Sequence, residues 1–379
     1  MRPHVDQRQA QVLALVQARG SVRVAELARE LGVSPVTLRR DIEAMAARGE
    51  IHRMHGVISR LEPGRIPAVP PAGAAGGAAG RGVESGHRGG PSGASADGLV
   101  IGMVVPTTEY YYAEVVRGAR EVVEARGARL TVGLTRYLPG EDRTQADRLL
   151  STGADGLLLT PNWDSGSPGP GEGAWAAELP VPTVLVERWA PPGHPAAGLD
   201  RVTSDHAHGA ARAVQHLVES GHRRIALASR ETPTSARLRA GYEAAVAALG
   251  LAPAPAWPTA GPGPLSDAEA FARTLDYLHE AVAEGGVTAA LIHSDTDAIM
   301  LIPRLQARGV RVPEDLAVIT YDDEVAGLAD VPLSAVAPAK GEVGARAAGL
   351  LLDRLAAAGT PHESPRQHLE LLPRLTIRA

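Results

Sequence analysis

Apolar residues recur at helical spacing through the first 60 positions. Val12, Leu15 and Val16 make one stripe, on a helix predicted to end near Gly20. Leu27, Ala28 and Leu31 mark a second helix, closed by Gly32 where a left-handed backbone favours glycine. Ser34 then supplies an N-cap hydroxyl and Pro35 the first position of a third helix. Leu38, Ile42 and Met45 repeat along that helix at i, i+4 and i+7, and it runs to about Arg48. Two helices joined by the short Gly32-Val33-Ser34 turn form a helix-turn-helix, and the alternating segment from Glu50 to Ile58 predicts a hairpin wing. From residue 99 the pattern changes. Short apolar runs at 99–105, 129–134, 156–160, 182–187, 224–229, 289–293, 316–321 and 333–337 alternate with helical stretches. That alternation predicts right-handed βαβ units in an α/β fold with parallel, doubly wound sheets. The 281 residues from 99 to 379 are many for one sheet, so two α/β lobes are expected. Lobe 1 is drawn at about 99–200 plus 333–355, and lobe 2 at about 201–330 plus 356–379.

Between these regions, residues 62–98 are mainly Gly, Ala, Pro and Ser, with almost no apolar bulk to bury. Such a composition predicts a disordered linker. As a coil its 37 positions would span roughly 33 Å. Three domains are therefore expected: 1–61, the linker 62–98, and the core 99–379. Charge follows the same division. The chain carries −5 overall, while residues 1–60 hold ten arginines against six acids, net +4, leaving −9 for the rest. A basic head on an acidic body suits a nucleic-acid binder with a separate sensing domain. With no cysteine, disulfides, thiolate metal sites and thiol catalysis are excluded. No apolar run resembles a signal peptide or reaches the roughly 18 residues of a membrane helix, so a cytoplasmic protein without a membrane role is expected. Only Lys340 among the 38 basic residues is a lysine.

On the third helix, Val36 and Arg40 lie opposite the core-facing Leu38, with Thr37 and Ala44 beside them and Arg39 on the flank. That face suits a DNA major groove. Its apolar groups can touch thymine methyls, Arg40 can reach a guanine edge bidentately and Arg39 suits a phosphate. Ser34, Pro35, Val36, Thr37, Arg39 and Arg40, with Arg53 and His55 from the basic wing, form the expected DNA surface.

In the core, aromatics are scarce at 3% of the chain, yet three of the seven tyrosines are consecutive: Tyr110, Tyr111 and Tyr112. They follow the first strand, while Trp163 and Trp189 follow the third and fourth. Ligands of open parallel sheets bind beyond the carboxyl ends of the strands. Aromatics gathered there predict a stacking surface for an apolar sugar face, with local packing under the loops as the alternative for each tryptophan. Thr160, Asn162, Glu187, Arg188, Ser294, Asp295 and Asp322 sit at equivalent strand ends, where carboxylates and Arg can pair with vicinal hydroxyls. Asp295 also reads as a helix N-cap. His206, His208 and His216 lack any strict metal-ligand spacing. There is no Gly-x-Ser-x-Gly elbow, no Walker sequence and no dinucleotide-binding glycine motif. Neither an enzyme nor a cofactor or metal requirement is expected.

The run Val24-Ala25-Glu26-Leu27-Ala28 through Leu31-Gly32-Val33-Ser34-Pro35-Val36-Thr37-Leu38-Arg39-Arg40-Asp41-Ile42, followed by Gly49-Glu50-Ile51-His52-Arg53-Met54-His55-Gly56, resembles the DeoR-type winged helix-turn-helix. The core instead resembles the LacI/GalR effector domain, itself similar to type I periplasmic sugar-binding proteins. The stretches that carry this are Leu99–Pro106, Ala154–Leu159, Gly221–Ala226 and above all Val312–Asp323. The resemblance implies ligand contacts at Arg188, Ser294 and Asp322, and at one arginine of Ser235–Tyr242. There Arg237 and Arg239 are not distinguished. Together with Tyr111, Tyr112, Thr160 and Asn162 from the strand ends, these make the expected ligand set. Two departures stand out: the linker replaces the family's hinge helix, and His206 stands where asparagine is usual. The combination implies a homodimeric repressor that binds a double-stranded DNA operator and responds to a small polar effector, first among candidates a carbohydrate. The rival, a solute-binding protein of a sugar transporter, is opposed by the missing export signal and the DNA-binding head.

Overall fold

The structure is a computed structural model that describes residues 11–16, 21–23, 45, 52–54, 57–59, 96, 98–169, 171–256, 267–358 and 364–378. The chain divides into two units, Met1–His87 and Arg88–Ala379. In the first, residues 11–16 are helical, and Val12 and Val16 are buried as the stripe predicts. Met45 is helical and buried as well. Three short strands follow: β1 (Ser21–Arg23), β2 (His52–Met54) and β3 (Val57–Ser59). β2 pairs antiparallel with β3, Met54 opposite Val57, as a hairpin wing requires. β1, which the sequence pattern does not mark, completes the sheet on the other side of β3. Ser34, Pro35, Val36, Thr37, Arg39, Arg40 and His55 lie outside the described residues, and Arg53 is described only as backbone within β2.

The second unit alternates strand and helix. In order come β4 (Val100–Val105), α1 (Tyr111–Ala125), β5 (Arg129–Leu134), α2 (Glu141–Ser151), β6 (Gly156–Leu159), β7 (Thr183–Val186) and β8 (Asp200–Ser204). After them come α3 (His206–Glu219), β9 (Ile225–Ser229), α4 (Ser235–Ala248), α5 (Asp267–Ala283), β10 (Ala289–His293), α6 (Asp295–Ala307) and β11 (Ala317–Tyr321). The unit ends with β12 (Ser334–Ala337), α7 (Lys340–Ala357), β13 (His368–Leu371) and β14 (Arg374–Thr376). One sheet has the order β13-β8-β7-β6-β4-β5 and is parallel throughout. The other has the order β14-β12-β11-β10-β9 and is parallel except for β14. Each sheet is covered on both faces, which is why its inner strands read as unbroken apolar runs. Ile101, Met103 and Val105 of β4 pack under α1 and α7, while Gly102 and Val104 face Leu149 of α2. In the second lobe Ala226 and Ala228 point one way, Ile225 and Leu227 the other.

The chain crosses between the sheets three times: after β8, after β12 and after β13. The lobe boundaries expected from sequence differ at each crossing. Residues 201–204 belong to the first sheet, 334–337 to the second, and 368–371 return to the first. The reason is local chemistry. β8 opens on Asp200, fully buried and held bidentately by Arg354 at 2.7 and 2.8 Å. A buried ion pair interrupts the apolar pattern that marks the other strands. β13 and β14 are edge strands, partly exposed, and carry mixed sequences for that reason. Among the described residues no helix is long and apolar enough to cross a membrane.

Candidate functional site

A cleft of about 200 Å³ opens where the carboxyl ends of the two sheets' strands meet, smaller than the roughly 300–1,000 Å³ of sites for drug-sized molecules. The first lobe contributes Tyr110–Tyr112 after β4, Glu187–Trp189 after β7, and Thr203 and Ser204 at the end of β8. The second contributes Arg230 and Thr232 after β9, Arg237 from α4, His293 and Ser294 at the end of β10, and Asp322 after β11. Tyr110, Tyr137, Glu187 and Asp322, all lining the cleft, have φ values of 52°, 58°, 53° and 93°. Side-chain-bearing residues hold such left-handed backbones only where their surroundings over-determine them, and such places concentrate at binding sites.

The three tyrosines do different things. The Tyr110 hydroxyl reaches across to the second lobe, donating to Asp295 and, at 3.3 Å, to Asp322. Tyr111 donates to Glu187 at 2.7 Å, and burial followed by the Glu187 charge pushes its phenol well above the usual range. Tyr112 accepts from Arg188 at 3.2 Å. Glu187 also receives the Ser204 amide at 3.1 Å and hydroxyl at 2.8 Å, and lies 3.5 Å from His206 Nε2. Burial pushes its carboxyl up, but His206, then Tyr111 and the Ser204 amide, outweigh burial and hold it below the ordinary carboxylate value. Glu187 is thus committed to the protein. Arg188 is not. Only 3% exposed, its guanidinium donates to Pro161 O at 2.9 Å, Glu187 O at 2.8 Å and Tyr112, and Nη2 has no partner among the described residues. Trp189 Nε1 and Thr203 Oγ1, from residues in the same wall, are buried and have no partner among the described residues.

Across the cleft, Arg230 pairs with Asp297 at 2.9 Å. His293 stands 3.7 Å from Asp322 Oδ2 and 3.2 Å from Ser229 Oγ. Burial pulls its imidazole below the usual value, against the Asp322 charge. Asp322 itself is buried, and among the described residues its carboxylate is held by Tyr110 and the nearby His293. The rim is closed where Gly166 of the first lobe meets Pro233 of the second. A Cβ on Gly166 would stand 2.3 Å from the Pro233 carbonyl oxygen.

Of the residues expected from sequence, the cleft gathers Tyr111, Tyr112, Arg188, Arg237, Ser294 and Asp322. Three lie elsewhere. Thr160 is fully buried and donates to Val186 O at 3.1 Å, stitching β6 to β7. Asn162 accepts from Thr135 at 2.8 Å and donates to Leu138 O at 2.8 Å, bracing the loop behind Tyr137. Arg239 points to solvent and pairs with Glu231 at 2.8 Å, whereas Arg237, a turn half away on the same helix, lies 4.8 Å over the Trp189 ring. Trp163 is a core residue, 1% exposed, whereas Trp189 reaches the cleft. Asp295 does not cap α6, which it opens, but the start of a short 3-10 turn, Ala326–Leu328. Its Oδ2 gathers the amides of Glu324, Val325 and Ala326. The sequence reading missed Tyr137, Arg230, His293 and Asp297, and Ser204 with the unrecognised β8. Arg230 and His293 sit at strand ends, so the rule that found Asp322 applied to them too. Among the described residues no cluster of His, Asp and Glu could hold a metal ion.

Comparison with known proteins adds three matches. Residues 8–63 match the DeoR-like helix-turn-helix domain. Residues 98–260 match the periplasmic binding proteins and sugar binding domain of the LacI family, and 214–379 a periplasmic binding protein-like domain. The HTH-type transcriptional repressor PurR of Histophilus somni (strain 129Pt) is 28% identical over 284 residues, 73% of this chain and 80% of that protein. The HTH-type transcriptional repressor CytR of Escherichia coli (strain K12) is 26% identical over 285 residues, 74% of this chain and 79% of the relative. Among solved structures, a LacI family transcriptional regulator from Mycobacterium smegmatis superposes with a TM-score of 0.58 at 25% identity, covering 73% of this chain and 97% of that one.

Proposed function

Because the chain joins a DeoR-like helix-turn-helix domain to a LacI-type, periplasmic-binding-protein-like core, we infer that it is a sequence-specific DNA-binding transcription regulator, a repressor, whose operator affinity is set by a small polar effector. The relatives are repressors rather than transport proteins or enzymes, which supports the same choice. We take the working form to be a cytoplasmic homodimer, since one reading helix covers too short a DNA site alone and paired heads match a two-fold or repeated operator.

The observation that carries the effector reading is the pair Arg188 and Asp322. Each is buried at a strand end and lines the cleft, each comes from a different lobe, and among the described residues Arg188 Nη2 has no partner while the Asp322 carboxylate has Tyr110 and the nearby His293. A ligand that accepts from Arg188 Nη2 and donates to Asp322 bridges the lobes and favours the closed arrangement, because it binds that arrangement better than an open one. A polyol does both at once with vicinal hydroxyls, and Trp189 with the tyrosines offers apolar faces for its ring. A carbohydrate of one ring fits the volume best. Nucleosides share the same chemistry and form the second class to be screened.

The test is a thermal-shift screen of the full chain against pentoses, hexoses, disaccharides and nucleosides, run on the wild type and on Asp322→Ala. Tight binding raises stability by mass action, about 2.7 kcal/mol at a hundredfold excess over Kd. At least one carbohydrate should stabilise the wild type, and Asp322→Ala should lose that response, since removing a charged partner from a desolvated site costs about 2–5 kcal/mol. Equal stabilisation of both proteins removes Asp322 from the site. Stabilisation by nucleosides alone replaces carbohydrate as the effector class.

A further inference from the structure

Lys340 is the single lysine among 38 basic residues, and it is buried, 6% exposed, at the first position of α7. Three influences oppose an ammonium there. The chain uses arginine everywhere else, burial of a charge is costly, and the positive end of a helix disfavours a cation. Its contacts supply the reason for it. Nζ donates to the main-chain carbonyl of Asp322 and to the Glu324 carboxylate, and lies 5.3 Å from the centroid of the Tyr111 ring. Asp322 and Glu324 belong to the loop after β11, in the second lobe, whereas α7 and Tyr111 pack in the first.

Both ends of this contact are held in place by packing and hydrogen bonds. A Cβ on Gly344 would stand 1.9 Å from Val115 O, and one on Gly118 1.9 Å from Gly341 O, so the first turns of α7 lie directly on the α1 backbone. On the other side, Asp295 Oδ2 holds the amides of Glu324, Val325 and Ala326 at 2.7, 2.6 and 3.1 Å, and the Asp322 amide donates to Val336 O at 2.9 Å. Between these two supports Asp322 keeps its φ of 93°, a conformation an aspartate holds only under constraint.

We propose that Lys340 is a positioning residue: its ammonium clamps the Asp322 carbonyl, and so turns the Asp322 carboxylate into the cleft while tying the second lobe's loop to the first lobe. That the carboxylate then meets the effector rests on the proposed function; the clamp does not. Arginine would not serve, because a planar five-donor fork is wider than the compact point charge this space admits.

The absence of cysteine makes a direct test possible, because Lys340→Cys introduces the only thiol of the chain. Alkylating that variant in denaturant with 2-bromoethylamine restores an ammonium on a stem of lysine's length, and iodoethane gives a similar stem without charge. Hydrogen exchange of the refolded full chain, followed by mass spectrometry, reads the loop amides. In Lys340→Cys the amides of residues 322–326 should exchange at least about tenfold faster, while β11 and the second half of α7 keep wild-type protection. Aminoethylation should restore protection and ethylation should not. Lys340→Met and Lys340→Arg, purified without refolding, should both show the fast-exchanging loop. The proposal is overturned by wild-type exchange at 322–326 in Lys340→Met, by rescue with the ethyl group, or by loss of protection spread through β11 and all of α7. No arm contains an effector, so a failed ligand screen and a failed clamp are told apart.

Discussion

At the scale of the residue, the cleft is a set of buried polar groups sorted by how completely the protein satisfies them. Glu187 is engaged by Tyr111, Ser204 and His206, while Arg188 Nη2 has no partner among the described residues. His293 adds a pH dependence that can be isolated. Burial lowers its pKa below the ordinary 6.5 in the folded protein. Below about pH 6.5 the unfolded chain therefore binds a proton that the native state refuses. This contribution to stability is complete above that pH and is lost as pH falls toward the folded pKa. Glu187, lowered from 4.5, acts in the opposite range: its stabilisation is present above that value and is lost only in stronger acid. Denaturation curves at intervals from pH 7.5 to 5.5 should thus show a shallower loss of stability in His293→Gln than in the wild type. Parallel curves reject the assignment. The sequence made part of this site legible. Arg188, Ser294 and Asp322 were recoverable because strand ends in parallel sheets face a common crevice. Thr160 and Asn162 satisfied the same rule in sequence and fail it in space, because both lie just past the end of β6 and their side chains are taken up by hydrogen bonds to Val186 O, Thr135 and Leu138 O. Thr160 faces the neighbouring strand and Asn162 the loop behind it.

At the scale of the element, close helix packing supports the cleft from behind. α7 and α1 approach through Gly118 and Gly344, where a Cβ would stand 1.9 Å from the backbone of the other helix. Gly344→Ala should destabilise the core by about 1–3 kcal/mol through overpacking, read as a lower denaturation midpoint with unchanged slope. A variant as stable as the wild type shows that the helices slide freely, and that Lys340 lacks the rigid base described for it. The inner strands β4, β6, β7, β10 and β11, and the fully buried edge strand β9, were visible in the sequence because burial on both faces leaves continuous apolar runs. β8, β13 and β14 were not. Asp200 places a buried charge at the start of β8, and the other two are half-exposed edge strands without a run of their own. Missing them shifted every lobe boundary by one strand, since all three crossings between lobes fall next to those elements or to β12. Register could not repair this, for the pairing of β12 with β11 rather than with the first sheet is a tertiary choice.

At the scale of the whole molecule, a cleft that closes on a ligand acquires a regulatory meaning only through the DNA-binding head. The residues expected to read DNA rest on helix periodicity and on the match of residues 8–63 to a DeoR-like domain. If residues 62–98 form the tether their composition predicts, the effector controls operator binding by changing how the two cores of a dimer pair. A small rotation passed along the chain would then play no part. The most direct measurement is a fluorescence-anisotropy titration of the full chain against two duplexes at one fixed salt concentration. One duplex is selected by the protein from random sequence, and the other is its scrambled counterpart. The wild type should bind the selected duplex at least about a thousandfold more tightly. Arg40→Ala should forfeit about 1–3 kcal/mol of that discrimination. Equal affinity of the wild type for both duplexes means that the chain is not a sequence-specific regulator, whatever its cleft binds.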